Sequence, residues 1–122
     1  MKILIIDDSA TMRKIVRGSL EAIGSFEIEE AENCDDGLKK LIGGLVVNLV
    51  LVDWNMQGMT GIDFTKSVRG NPALSKTPMI MITSNSEKKQ VMSAVMAGVN
   101  DYMVKPFTSD IFAQKIKKVL GL

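Results

Sequence analysis

Three short, uninterrupted apolar runs, Ile3-Leu4-Ile5-Ile6, Leu49-Val50-Leu51-Val52 and Met79-Ile80-Met81-Ile82, constrain this chain more than any other feature. A strand exposed on one face alternates apolar and polar side chains, whereas a run with no polar residue describes a strand covered on both faces, as in a parallel sheet. Tyr102-Met103-Val104 is a shorter candidate of the same kind. Phe26 to Ala31 alternates instead, with Phe26 and Ile28 opposed by Glu27 and Glu29, which leaves one face wet and predicts an edge strand.

Helical patterns fill the gaps between these runs. Met12, Ile15, Val16, Leu20 and Ile23 recur at helical spacing, with Gly24 where a C-terminal cap is expected. Ser84-Asn85-Ser86-Glu87 has the spacing of a capping box, and Val91, Ala94 and Val95 then make an apolar face that ends at Gly98. Ile111, Phe112, Ile116, Val119 and Leu120 mark a last amphipathic helix, and weaker patterns fall near residues 35 to 43 and 61 to 69. Strand and helix thus alternate five times with no linker, repeat or low-complexity tract. Such alternation requires right-handed crossovers and predicts an α/β fold, a five-stranded parallel sheet with helices on both faces. Ligands of such folds bind beyond the carboxyl ends of the strands, near the point where strand order reverses.

At 122 residues and 46% hydrophobic content, the chain is expected to form one domain over residues 1–122. Fifteen basic against 14 acidic residues leave a net charge of +1, so no global field draws it to nucleic acid or to an anionic membrane. One cysteine, Cys34, excludes an internal disulfide, and the absence of histidine excludes Ser-His-Asp catalysis and HExxH zinc sites. The N-terminal apolar run is too short for a signal peptide and no stretch approaches a membrane span, so a cytoplasmic location is expected.

The strand ends concentrate the chemistry. The first ends in Asp7-Asp8, the third in Asp53, the fourth in Thr83-Ser84 and the fifth in Lys105-Pro106. Any one of these has an ordinary reading, since polar residues often end strands and cap the next helix. Together they bring three carboxylates to one cleft, where mutual repulsion favours a cation. Hard oxygen donors with no histidine and no nearby cysteine point to Mg²⁺, and Lys105 adds a second positive point for an anion. A cation, an ammonium and a hydroxyl around one carboxylate suit a phosphoryl group. Nucleotide binding fails at the same edge: no glycine lies between Asp7 and Gly18, so the first turn is neither a GxGxxG fingerprint nor a P-loop.

Asp7-Asp8, Asp53-Trp54-Asn55-Met56, Thr83 and Lys105-Pro106-Phe107 at this spacing resemble the receiver domains of bacterial two-component response regulators, in particular the stand-alone chemotaxis regulators. The resemblance covers essentially the whole chain. It implies a (βα)5 flavodoxin-like fold with strand order 2-1-3-4-5. It implies that Asp53 is the nucleophile that takes a phosphoryl group from a histidine kinase. Mg²⁺ would then be held by Asp8, Asp53 and the backbone carbonyl of Asn55, and by Asp7 through water. Lys105 and Thr83 would stabilise the phosphoryl oxygens, Lys105-Pro106 would be a cis peptide, and Thr83 with Tyr102 would form the switch. The implied output is protein binding by a monomer through helix four, strand five and helix five, with the flagellar motor switch as target. The domain would not be an enzyme beyond its own phosphorylation and slow autodephosphorylation.

Departures from the family pattern are few. Gln57-Gly58 replaces the usual proline after Met56, which loosens the loop, and Cys34 stands where glycine is common and reads as a small buried or semi-buried residue. Met92 and Met96 lie four apart on one helix face and read as core packing, although exposed methionines also suit partner surfaces. Lys88-Lys89, Lys115 and Lys117-Lys118 read as solvated faces. The start at Met1 and the end at Leu122 suggest a stand-alone regulator; the alternative is the receiver portion of a longer one. A phosphatase using Asp53 is a further alternative, disfavoured because Asn55 stands where such enzymes place a second acid. A partner-binding module that is never phosphorylated is disfavoured by the intact acids, Thr83 and Lys105.

Overall fold

The computed structural model describes residues 1–54, 56, 58–84 and 88–122, the side chain of residue 88 excepted. Strands β1 (Lys2–Ile6), β2 (Glu27–Ala31), β3 (Leu49–Asp53), β4 (Met79–Thr83) and β5 (Asp101–Val104) alternate with helices α1 (Ala10–Glu21), α2 (Cys34–Ile42), α3 (Gly61–Gly70), α4 (Lys88–Ala97) and α5 (Ser109–Leu120). All neighbouring strands are parallel, in the order β2-β1-β3-β4-β5. The three continuous apolar runs became the central strands, and the alternating Phe26–Ala31 segment lies at one edge.

Period-two alternation within each central strand divides the core in two. Leu4, Ile6, Val50, Val52, Met79 and Met81 face α2, α3 and α4, where they meet Cys34, Leu41, Phe64, Val68 and Ala94. Ile3, Ile5, Leu49, Leu51, Ile80 and Ile82 face α1 and α5, where they meet Val16, Leu20, Phe112 and Ile116. Each face needs its own helices to exclude water, which is why these strands could dispense with polar residues.

Four helix starts are capped by side-chain oxygens. Ser9 accepts from the Met12 amide, Asn33 from Asp36, Thr60 from Asp63 and Thr108 from Ile111. Each cap satisfies an orphan N–H and is worth about 1 kcal/mol. The capping box expected at residues 84 to 87 lies outside the described residues from Asn85 onward.

Three sequence expectations need correction. Gly24 is not a left-handed cap: α1 stops at Glu21, and an αR turn carries the Ala22 and Ile23 amides back to Gly18 and Leu20. Positive φ is found instead at Gly44, Gly58, Gly98 and Gly121. Met92 and Met96 are not core residues, being 53% and 84% exposed, and Val95 is exposed with them. Of the α4 apolar face, Ala94 is buried and Val91 half-buried, because the helix rests on the sheet by a narrow stripe. Lys115 is not merely solvated, since its ammonium lies 2.9 Å from Asp101 and 5.0 Å from the centre of the Tyr102 ring. Among the described residues, no helix is long and apolar enough to cross a membrane.

Candidate functional site

Strand register explains how residues distant in sequence reach one edge. Ile6 pairs with Val52, so Asp7 and Asp53, one residue further along each strand, leave the sheet side by side. Asp53 pairs with Ile82 and Thr83 with Val104, which sets Thr83 and Lys105 on the other side of Asp53. The Lys105 amide donates to the Thr83 carbonyl at 2.7 Å and extends that pairing by one residue.

At this edge Asp7, Asp53 and Thr83 are buried, at 3%, 5% and 3% exposure, and Asp8 is exposed. Carboxylate oxygens of Asp7, Asp8 and Asp53 lie within 4.8 Å of one another. Lys105 Nζ lies 3.3 Å from Asp53 Oδ2 and 3.5 Å from Asp7 Oδ2, so one ammonium bridges two buried acids. Three carboxylates clustered in a cleft repel one another, and a cation held among them, beside the Lys105 ammonium, offsets that repulsion. The donor set is all oxygen and fits a hard divalent ion. Cys34 offers no competing thiolate, because burial, aided by Asp35, Asp53 and Asp63, pushes its thiol up to about 12. That also speaks against a redox role for Cys34.

Local packing holds this arrangement. Gly61, buried at the start of α3, lies so close to Asp53 that a Cβ there would sit 3.0 Å from the Asp53 carbonyl. Trp54 is half-buried, donates its amide to Ile82 and packs against the α2–α3–α4 side of the core. Gly58 has φ +81°, a conformation that side chains disfavour, so the loop after Met56 depends on glycine at this point. Gln57 and the expected carbonyl ligand Asn55 lie outside the described residues. The Lys105–Pro106 peptide is cis. Tyr102 is half-buried with its ring under Lys115 of α5.

Two residues at the edge escaped the sequence reading. Arg13 donates from Nη1 to the Asp7 carbonyl and from Nε to Glu30 at 3.0 Å, and Arg17 meets the other Glu30 oxygen at 2.6 Å. The signal available was an arginine pair at i and i+4 on α1 together with the acids Glu27, Glu29 and Glu30 on β2.

The parallel sheet in this order, with acids and a lysine at its carboxyl edge, has the architecture and site of a phosphoryl-accepting receiver domain. The chain belongs to the response regulator receiver domain family, whose model matches residues 3–117. Its relatives in that family include chemotaxis proteins of the CheY type. It is 40% identical over 121 residues to chemotaxis protein CheY1 of Helicobacter pylori, covering 99% of this chain and 98% of that one. It is 41% identical over 119 residues to chemotaxis protein CheY of Pseudomonas aeruginosa, covering 98% and 95%. Among solved structures, the chemotaxis response regulator CheY4 of Vibrio cholerae superposes with a TM-score of 0.87 at 29% identity, covering 97% of each chain.

Proposed function

We propose that this chain is a phosphorylation-activated switch in chemotaxis, which accepts a phosphoryl group from a histidine kinase onto Asp53 and thereby changes its affinity for a target protein. The observation that carries the proposal is the Lys105 ammonium between Asp53 and Asp7, with the Asp8 carboxylate alongside. In the proposed step an Asp53 oxygen attacks the phosphorus of a phosphohistidine, the P–O bond forms as the P–N bond breaks, and the imidazole leaves with the electron pair. Asp8, Asp53 and the Asn55 carbonyl would hold Mg²⁺, with Asp7 acting through water, and the ion would supply positive charge for the phosphoryl oxygens. Lys105 needs little movement to follow the charge from carboxylate to phosphoryl group, and Thr83 on the adjacent strand end would donate its hydroxyl to a phosphoryl oxygen.

The output is proposed to run through Thr83 and Tyr102 to the surface of α4, β5 and α5. Exposed Met92, Val95 and Met96 suit an adaptable contact there. The names of the relatives favour chemotaxis, and the flagellar motor switch is the proposed target.

Incubation with a small acyl-phosphate donor and Mg²⁺ is expected to add one phosphoryl group by mass spectrometry. EDTA should prevent it, and Asp53→Asn should abolish it, because an amide cannot form the acyl phosphate. Unchanged labelling of Asp53→Asn would refute the assignment.

A further inference from the structure

The arginine pair of α1 reaches the backbone of the acid turn. Arg13 is largely buried, with 12% of its side chain exposed, and its guanidinium spans two partners. Nη1 donates to the Asp7 carbonyl, and Nε donates to Glu30 on the neighbouring strand β2. Glu30 is held in turn by Arg17, whose Nε and Nη2 lie 3.2 and 2.6 Å from Oε2.

The Asp7 carbonyl belongs to the same rigid plane as the Asp8 amide, so a donor that fixes that oxygen fixes the plane from which Asp8 departs. Asp7 itself is held elsewhere as well: its amide donates to Ala31 at 3.2 Å and its Oδ1 accepts from the Ser9 amide at 2.9 Å. Asp8 is exposed, and its backbone continues from that peptide.

We propose that Arg13, braced by Glu30, is a positioning residue for the metal-binding turn: by holding the Asp7 carbonyl it sets the direction in which Asp8 presents its carboxylate. This rests on the reading of Asp7, Asp8 and Asp53 as the Mg²⁺ site. Outer partners that orient metal ligands typically contribute 10- to 100-fold in affinity. Charge and position act here with opposite signs. Removing a cation beside a divalent-metal site should tighten binding by relieving repulsion. Losing the grip on the turn should weaken it.

Titration of the protein with magnesium chloride, followed by Trp54 emission, separates the two. Arg13→Met is expected to raise the Mg²⁺ dissociation constant about 10-fold. Lys14→Met removes the same charge from the adjacent exposed position and should leave it within about 2-fold, as screening predicts. Arg13→Lys keeps the charge but lacks the planar fork that reaches two partners, so it too should weaken binding, and it decides the matter if Arg13→Met does not fold. The amide resonance of Asp8 should shift in Arg13→Lys without Mg²⁺ present. The proposal is overturned if both Arg13 variants bind Mg²⁺ as tightly as the parent, or if Lys14→Met weakens binding equally. A parent that shows no saturable response, or one unaltered by Asp8→Ala, overturns the underlying metal assignment as well.

Discussion

Helices α1 and α4 each follow a strand end at the site, one after Asp7-Asp8 and the other after Thr83, yet they are anchored very differently. Helix α1 buries Val16 and Leu20, is capped by Ser9, and is tied to β2 through Arg13, Arg17 and Glu30. Helix α4 buries only Ala94 among its described side chains and exposes Met92, Val95 and Met96. Segments with few buried apolar contacts open at low cost and supply the moving parts of switches. The difference teaches that the side of the site which holds charge is built to stay still, while the side proposed to signal is loosely seated and offers its apolar residues outward.

The comparison breaks most readily on stability. Leu20→Ala in α1 should cost about 2–5 kcal/mol, as deletion of a fully buried leucine does, in urea unfolding followed by circular dichroism. A loss below about 1 kcal/mol would mean that α1 is no better seated than α4.

Signalling gives the next effect. A ligand shifts two states only by its differential interaction with them, and a 10-fold shift needs about 1.4 kcal/mol, within reach of one charge-assisted hydrogen bond. Thr83→Ala should accept phosphate on Asp53 yet lose most of the phosphorylation-dependent gain in target affinity, measured by calorimetry on the fully phosphorylated variant. Equal affinity of phosphorylated Thr83→Ala and phosphorylated parent would remove Thr83 from the coupling.

A smaller effect concerns the brace on α1. The hydrogen bond from Arg17, reinforced by its charge and by Arg13, holds the Glu30 carboxyl below its ordinary value of 4.5. A depressed carboxyl contributes stability in full above the unfolded value, and that contribution is lost as pH falls through the lower folded value. The stability gap between the parent and Glu30→Gln should therefore be widest above pH 4.5 and close as pH falls below it. A gap independent of pH would show that Glu30 acts by shape alone.

The smallest effect is on α4. Met96→Ala should change stability by no more than about 0.5 kcal/mol, the range for exposed positions, while weakening the target complex. Unchanged target affinity would leave the exposed methionine without a part in output.

Much of the scaffold could be read directly. A run such as Leu49-Val50-Leu51-Val52, set between helical patterns, reads as a strand covered on both faces, so the central strands with their polar ends at Asp7, Asp53 and Thr83, and Lys105 after the edge strand β5, followed from local sequence. Met92 and Met96 show where such reading stops. Their spacing puts them on one face, but periodicity does not say whether that face meets the sheet or water. Gly24 misled for a related reason: a glycine near a helix end need not adopt positive φ when an αR turn already satisfies the last amides. Lys115 looked like one more surface lysine because Asp101 and Tyr102 lie on another element.

Local sequence already carries the alternation of strand and helix, the burial of the central strands and the chemistry at the strand ends, because these depend on periods of two and 3.6 residues within short segments. Folding alone brings the Lys105 ammonium between Asp7 and Asp53 and sets Arg13 on the Asp7 carbonyl against Glu30. Those contacts depend on strand order and register. Both are set by how two faces of one sheet share their helices, a property of the whole chain that no local segment contains.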